Sequence, residues 1–101
     1  MLDLSQILGF DWDAGNERKI SDKHRVSQRE AEEVFLDPRL LVMVDETHSH
    51  GENRFHAYGV TSMGRKLQVS FTLRADDTLI RVISTRNMSR SERSRYDEEE
   101  A

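Results

Sequence analysis

Apolar residues in the first forty positions recur mostly at helical spacing. A short alternating strand over residues 9–12 precedes a predicted helix over residues 16–23. Ser27 and Glu30 then form a capping box, in which the Ser side chain covers a free backbone N–H and the Glu side chain reaches back. The apolar residues that follow are three and four apart, until Pro38 ends this second helix because the residue before proline avoids the helical region.

The second part of the chain changes to strand spacing. Leu40 to Val44 is an apolar run of strand length, and apolar and polar residues then alternate over residues 54–59 and 66–74. Residues 79–85 are rich in β-branched side chains and predict a further strand. Residues 62–64 and 75–77 have the composition of tight turns and separate these strands. A second capping box, from Ser89 to Glu92, opens a polar C-terminal helix.

The order of predicted elements is β-α-α-β-β-β-β-α, which indicates the α+β class. Short turns between the later strands predict a mostly antiparallel β-meander, with the two N-terminal helices packed on one face and a short C-terminal helix at the end. We expect one domain over residues 8–96, an N-terminal extension over residues 1–7 and an acidic tail over residues 97–101. The tail could fold over basic residues or be a solvated terminus.

Composition limits the classes of protein to which the chain can belong. It has 101 residues, enough for one modest domain, and no cysteine, which excludes a disulfide scaffold, a thiolate metal site and a cysteine nucleophile. No apolar run approaches the roughly 20 residues of a membrane span. The N-terminus shows no basic flank followed by an apolar stretch. We therefore expect a cytoplasmic protein without a membrane partner.

The net charge of −4 conceals an asymmetry between the two halves. Residues 1–53 carry 6 basic and 12 acidic side chains, whereas residues 54–96 carry 9 basic and 3 acidic ones. Eight of these nine basic residues are arginine, and Lys66 is the exception. The planar guanidinium fits phosphate oxygens at two points, so the second half favours contact with a nucleic-acid backbone. A simply solvated surface explains the same charges.

The segment after the first long strand has four possible metal ligands within eight residues, namely Asp45, His48, His50 and Glu52. Their spacing lacks the fixed helical pattern of known zinc motifs, and most such loops are merely polar. The chain also has no glycine-rich phosphate loop. We therefore expect neither a metal site nor a cofactor.

A series of short motifs over residues 8–98 resembles the BrnT-type toxins. The motifs are Phe10-Asp11-Trp12-Asp13, Lys23-His24-x-Val26-Ser27, Glu32-Glu33-Val34-Phe35-x-Asp37-Pro38, Asp45-x-x-His48, Glu52-x-Arg54, Gly64-Arg65-x-Leu67-x-Val69, Phe71-Thr72-x-Arg74 and Arg81-Val82-Ile83-Ser84-Thr85-Arg86, followed by Glu92 and Tyr96. Each motif is weak alone, but their shared order and spacing are fairly specific.

The resemblance implies a RelE-like fold and a ribonuclease toxin of a type II toxin–antitoxin pair. Such toxins cut RNA without a metal and inhibit translation. The resemblance further implies a cognate, BrnA-like DNA-binding antitoxin that holds the toxin inactive. Operator DNA is then a partner only indirectly, through the antitoxin.

Metal-free RNA cleavage needs a base for the ribose 2′-OH, cations for the phosphoryl charge and an acid for the leaving 5′-oxygen. Arg74 and Arg86 are the first candidates for phosphate contact, and Arg65 and Arg81 the next; we assign catalytic roles to all four. Each could instead pair with a carboxylate on the sheet rim. Strict alternation sends Arg81 and Arg86 to opposite faces of their strand, so both serve one site only if that strand bends or ends before Arg86.

His24, His56 and Tyr96 are candidates for the proton transfers. His24 could equally be a helix-end histidine bonded to a carbonyl, and Tyr96 could be an apolar anchor for the last helix. We assign catalytic roles to His24 and Tyr96. Direct contact with RNA is assigned to Lys23, Arg54, Lys66 and His56.

Four positions in the first-helix segment depart from the usual pattern of the family, namely Asn16, Ile20, Arg25 and Gln28. These departures keep a second hypothesis open, in which a catalytically weakened relative binds an antitoxin or nucleic acid without cutting. A third hypothesis is a structural partner whose arginine-rich half faces an acidic polypeptide.

Overall fold

The computed structural model describes residues 3–15, 25–47 and 51–99. Within these ranges five strands form one sheet, and two α-helices flank it. The strands are β1 (Gly9–Phe10), β2 (Leu41–Val44), β3 (Phe55–Val60), β4 (Lys66–Arg74) and β5 (Leu79–Asn87), and the helices are α1 (Gln28–Val34) and α2 (Arg90–Glu99). A 3-10 turn, Leu4–Gln6, precedes β1. The predicted α+β class is confirmed.

The strand order is β1-β5-β4-β3-β2. The four later strands pair antiparallel in chain order, as the short turns between them predict. β1 instead lies parallel to β5, with Gly9 opposite Leu79 and Phe10 opposite Ile80. The sheet is therefore mixed: the predicted antiparallel meander is present, and β1 adds a parallel strand at its edge. A parallel pair needs a long connection, and here most of the chain lies between β1 and β5.

The prediction of two N-terminal helices differs from the structure in detail. α1 begins at the predicted capping box, with Glu30 N–H donating to Ser27 Oγ and Ser27 N–H donating to Glu30 Oε1, each at 3.0 Å. Ala14 and Gly15 are helical, but the predicted helix over residues 16–23 lies outside the described residues. Of the helices described, one is N-terminal and the other is C-terminal. Neither is long and apolar enough to cross a membrane.

The main core lies between α1 and one face of the sheet. Phe10, Phe35, Phe71 and Phe55 form a continuous row of aromatic rings with successive centroids 5.5, 5.1 and 5.3 Å apart. The buried apolar residues of this core are Val26, Ala31 and Val34, from α1 and the residues before it, and Phe55, Ala57, Leu67, Val69, Phe71, Ile80 and Val82, from this face of the sheet. We call it the core face. The period-two pattern of β4 is thus confirmed, because its apolar residues all point to this side.

A β-bulge interrupts the pairing of β4 with β5. Ser70 lies opposite Ser84, whereas the next residue of β4, Phe71, lies opposite Val82. Ile83 is therefore an extra residue on β5. The insertion reverses the alternation of β5 beyond this point, so that residues an odd number of positions apart share a face.

The bulge places Arg81 and Arg86 on the same face of the sheet. Arg81 lies opposite Thr72 and Arg86 lies opposite Gln68, and both of these β4 residues point away from the core face. Strict alternation therefore does not hold along β5, and the bulge is the irregularity that the sequence left open. We call this side the second face; it carries His56, Tyr58, Gln68, Ser70, Thr72, Arg81, Ser84 and Arg86.

The C-terminal helix α2 docks at one end of the second face. Tyr96, which is 1% exposed, packs with Met88 and Tyr58 in a separate small cluster. Its hydroxyl donates to Asp37, just beyond α1, and the guanidinium of Arg39 lies over its ring at 5.4 Å from the centroid. Asp37 also accepts a hydrogen bond from Val60 N–H at 2.9 Å. This network connects α2 to the chain after α1.

Candidate ribonuclease site

The imidazole of His56 lies between a carboxylate and a hydroxyl on the second face. Its Nδ1 is 2.8 Å from Ser70 Oγ, and its Nε2 is 3.1 Å from Asp45 Oδ2. In the neutral ring, Nε2–H donates to Asp45 and Nδ1 accepts from the Ser70 hydroxyl, which leaves Nδ1 as the basic nitrogen. A carboxylate that holds the tautomer and supports the imidazolium is a common arrangement for a histidine that moves protons.

The local chain explains why these three groups meet. Asp45 follows β2 directly, and its N–H donates to Arg54 O at 2.8 Å, closing the base of the hairpin between β2 and β3. His56 is the second residue of β3 and lies opposite Ser70 across the β3–β4 pair. Side chains directly opposite each other on one face are about 5 Å apart at Cβ, which suits a hydrogen bond.

His56 lines a polar hollow of about 500 Å³ on the second face. Its lining includes two cations, Arg54 and Arg86, together with Asp45, Ser70 and Ser84. A histidine imidazole therefore shares one recess with two guanidinium groups. This combination matches two of the three tasks of metal-free RNA cleavage: proton removal and stabilisation of phosphoryl charge.

Arg86 is held by Glu92 of α2 through two parallel hydrogen bonds, Nη1 to Oε1 at 2.7 Å and Nη2 to Oε2 at 2.9 Å. The hydrogen bonds from Arg86, reinforced by Ser89 N–H, outweigh partial burial and lower the pKa of Glu92 to about 2. The same pair raises the pKa of Arg86 above its ordinary value. Both groups are therefore ionised over the whole physiological range.

The other three predicted catalytic arginines do not join this hollow. Each pairs with a carboxylate elsewhere, which was the alternative considered for any single arginine. Arg65 lies 3.2 Å from Glu30, and Arg81 lies 2.8 Å from Asp13. Arg74 pairs with Glu52. The four predicted arginines therefore do not converge on one site, and Arg86 is the member that lines the same hollow as His56.

Arg74 instead lies beside a larger hollow of about 710 Å³ whose lining includes its partner Glu52. This hollow is rich in carboxylates, which are contributed by Asp3, Glu52, Asp76 and Asp77. Such a lining repels the phosphates of RNA. The smaller polar hollow is therefore the better ribonuclease candidate.

The remaining predicted residues have different surroundings. Tyr96 is buried and bonded to Asp37, and burial together with this contact raises the pKa of its hydroxyl to about 12. This geometry favours the anchor that we considered for it. Lys66 bonds Asp97 of α2 at 2.9 Å. The predictions for Lys23 and His24 lie outside the described residues.

No metal-binding group of three or more His, Asp or Glu side chains occurs within residues 3–15, 25–47 and 51–99. Asp45 faces His56 and Glu52 faces Arg74, so these two carboxylates of the loop already have partners. His48 and His50 lie outside the described residues.

Asp45 and Ser70 were not singled out as catalytic residues from the sequence. A signal for Ser70 exists, because a hairpin turn centred on Met63 pairs residues that are equally distant from it, including His56 and Ser70. Asp45 was weighed only as a possible metal ligand. Its closeness to His56 depends on the register of the β2–β3 hairpin, and the sequence of the ten-residue connection does not specify that register.

Comparison with known proteins gives one family for this chain. The family described as "Ribonuclease toxin, BrnT, of type II toxin-antitoxin system" matches residues 12–92. No individual curated protein matches the sequence. The matched segment contains the ten buried apolar residues of the main core, strands β2 to β5 and every residue that lines the polar hollow. It covers well over half of the chain, and the chain therefore belongs to the BrnT family of ribonuclease toxins of type II toxin–antitoxin systems.

Proposed function

We propose that this protein is an endoribonuclease toxin that cleaves RNA at the polar hollow without a metal ion. The observation that carries the proposal is the placement of His56 between Asp45 and Ser70, in a recess that also contains Arg54 and Arg86. Membership of a ribonuclease family supports RNA as the substrate. The histidine and the two arginines of the hollow support this reaction, because they suit proton removal and the stabilisation of phosphoryl charge.

In the proposed reaction, the ribose 2′-OH takes the place of the Ser70 hydroxyl as the hydrogen-bond partner of His56 Nδ1. The imidazole accepts its proton, and the 2′-oxygen attacks the adjacent phosphorus. The bond from phosphorus to the 5′-oxygen breaks, and the imidazolium of His56 returns a proton to that oxygen. The products are a 2′,3′-cyclic phosphate and a free 5′-hydroxyl, so atoms and charge balance.

Three other residues support this reaction. Asp45 stabilises the imidazolium that forms on His56, since its carboxylate lies 3.1 Å from Nε2. Arg54 and Arg86 stabilise the charge that builds on the phosphoryl oxygens. Removal of one such preorganised donor typically slows a reaction by about 10²–10³-fold.

We further propose that RNA cleavage inhibits translation and that a cognate antitoxin neutralises it. An antitoxin partner is inherent in a type II family. A BrnA-like DNA-binding protein is the proposed partner, and operator DNA is reached only through it. We expect the neighbouring reading frame to encode a small ribbon-helix-helix protein. We also expect that protein to copurify with the chain.

The reaction is tested by incubating the purified protein with RNA in excess EDTA. We expect fragments with 2′,3′-cyclic phosphate and 5′-hydroxyl ends. His56→Asn, which keeps the size and polarity of the side chain but cannot act as the base, should slow cleavage by about 10²–10⁴-fold. Circular dichroism should show an unchanged fold. Full activity in the variant would exclude His56 as the base, and activity that is lost with EDTA would exclude the metal-free reaction.

Binding without cleavage is the second candidate function. It is favoured by the ion pairs that partly neutralise Arg65, Arg74, Arg81 and Arg86. This alternative predicts that the protein retains RNA or antitoxin with no cyclic-phosphate product. The EDTA experiment separates the two candidates, because only the first yields new RNA ends.

A further inference from the structure

Arg86 offers a guanidinium with only part of its donor set in use. Of its five N–H groups, one on Nη1 and one on Nη2 point to Glu92, and the second N–H of Nη1 donates to Asn87 O at 3.0 Å. Among the described residues, nothing takes Nε–H or the second N–H of Nη2. These two donors emerge from the same edge of the guanidinium plane, so they form an intact two-point fork.

A fork of this kind matches two oxygens of one phosphate group. Arg86 and His56 line the same polar hollow, so a phosphate bound to Arg86 from within this hollow would share a recess with the proposed base. The occupied edge and the available edge of one guanidinium thus serve different partners. Glu92 takes the first, and the second is available to RNA.

Glu92 itself is held in place from several sides. Ser89 N–H donates to its Oε1 at 2.8 Å, and its own N–H donates to Ser89 Oγ at 3.3 Å, which is the capping box of α2. Its carboxylate is therefore positioned by the start of a ten-residue helix, which Tyr96 anchors at its other end. A long flexible arginine bound at two points by such a group loses most of its conformational freedom before RNA arrives.

We propose that Glu92 is a positioning residue that orients Arg86, so that its Nε–Nη2 edge is presented to a phosphate of the RNA backbone in the polar hollow. This inference rests on the proposed function and deepens it. Glu92 does not touch the substrate; it acts through Arg86. The proposal also gives α2 a role in the site, since the capping carboxylate of that helix is the group that holds the arginine.

Two other roles for Glu92 predict different results. If it only caps α2, its loss should resemble the loss of Ser89. If it competes with RNA for Arg86, its neutralisation should tighten RNA binding. Positioning predicts weaker binding and slower cleavage, because the freed guanidinium adopts many orientations and the productive one is rare.

The test compares Glu92→Gln with Ser89→Ala, which removes the capping hydroxyl but retains the Ser89 N–H. Binding is measured with an RNA whose 2′-hydroxyls are methylated, so that it cannot be cleaved, and cleavage is measured in single turnover with unmodified RNA. For Glu92→Gln we expect binding to weaken about tenfold and the cleavage rate to fall by about 10–10²-fold. Ser89→Ala should change both by less than about twofold, while lowering the melting temperature.

Each outcome decides one point. Equal effects of the two variants would overturn positioning in favour of a cap, and tighter binding by Glu92→Gln would overturn it in favour of competition. Absence of cleavage by the native protein would contradict the proposed function, but the binding comparison would still test Glu92. Failure of the native protein to bind the methylated RNA would overturn the inference itself.

An independent readout follows Arg86 directly. In ¹⁵N-labelled native protein, addition of a dinucleotide with a 2′-methylated ribose should shift the Nε–H resonance of Arg86. The same addition to Glu92→Gln should produce a much smaller shift, whereas Ser89→Ala should behave like the native protein. An Arg86 signal that is unmoved by the dinucleotide in native protein would contradict the proposal.

Discussion

The hydroxyl of Tyr96 donates a hydrogen bond to Asp37, a residue 59 positions earlier in the chain. Both groups are buried, and Asp37 also accepts from the N–H groups of Arg39 and Val60. Burial by itself raises the pKa of Asp37, but these donors, led by Tyr96, outweigh it and hold the pKa below its ordinary value. The contact thus fixes α2 to the body of the domain through an ionised carboxylate.

Removal of this hydroxyl should destabilise the fold. Tyr96→Phe keeps the packing of the ring but leaves Asp37 with one donor fewer, so we expect a loss of about 1.5–3 kcal/mol in the free energy of unfolding at pH 7. Urea titration measures it. Tyr58→Phe is the matched control, because within the described ranges the Tyr58 hydroxyl makes one hydrogen bond, a long one of 3.5 Å from Gln68. Equal losses in the two variants would contradict a special role for the Asp37 contact.

Two buried threonines should respond in opposite directions to the same substitution. Thr85 is 1% exposed and its Oγ1 has no hydrogen-bond partner among the described residues, whereas the hydroxyl of Thr72 donates to Asn53 O at 2.7 Å. Thr85→Val should therefore stabilise the protein by about 1 kcal/mol, and Thr72→Val should destabilise it by a similar amount. Calorimetric melting tests both. A fall in melting temperature for Thr85→Val would show that its hydroxyl is satisfied in solution.

Gly59 is required where β3 passes under α1. A Cβ at this position would lie 2.8 Å from Val34 O and 3.0 Å from Val34 Cγ1, closer than such atoms pack. Gly59→Ala should therefore cost about 1–3 kcal/mol through displacement of the helix. Gly9→Ala is the control, since its Cβ would meet only Leu79 at an ordinary 3.8 Å. Denaturant unfolding compares the two variants, and a neutral Gly59→Ala would contradict the close approach.

The Arg86–Glu92 pair should support the fold down to strongly acidic pH. The pKa of Glu92 is lowered from 4.5 to about 2, so its contribution to stability is fully present above pH 4.5 and is lost as the pH falls towards 2. Glu92→Gln removes this dependence. The native protein should therefore lose more stability than the variant between pH 4.5 and 2, as followed by circular dichroism in urea. Parallel pH profiles would contradict the lowered pKa.

Local signals predicted most of the elements. The capping boxes at Ser27 and Ser89 start α1 and α2 as expected, because a cap is a contact between residues three positions apart. The alternation over residues 66–74 defines β4 because one face of the sheet is buried. The parallel pairing of β1 with β5 was not predicted, since it joins segments 70 residues apart and leaves no local pattern.

The candidate site was less predictable than the fold for the same reason. A single extra residue at Ile83 decides that Arg81 and Arg86 share a face, and no turn residue or glycine marks it. Composition identified arginine as the residue type of interest but not which arginine lies beside a histidine. Strand register determines which arginine shares a hollow with a histidine. It places Arg86 and His56 in one hollow and leaves Arg74 beside carboxylates.

The most direct test of the account compares two arginines on the same face of β5. Arg86 lines the polar hollow, whereas Arg81 is bound by Asp13 and is not part of that lining. In single-turnover RNA cleavage with EDTA, Arg86→Ala should reduce the rate by about 10²–10³-fold, and Arg81→Ala should change it by less than about threefold. Equal losses, or a greater loss for Arg81→Ala, would contradict the polar hollow as the site of cleavage.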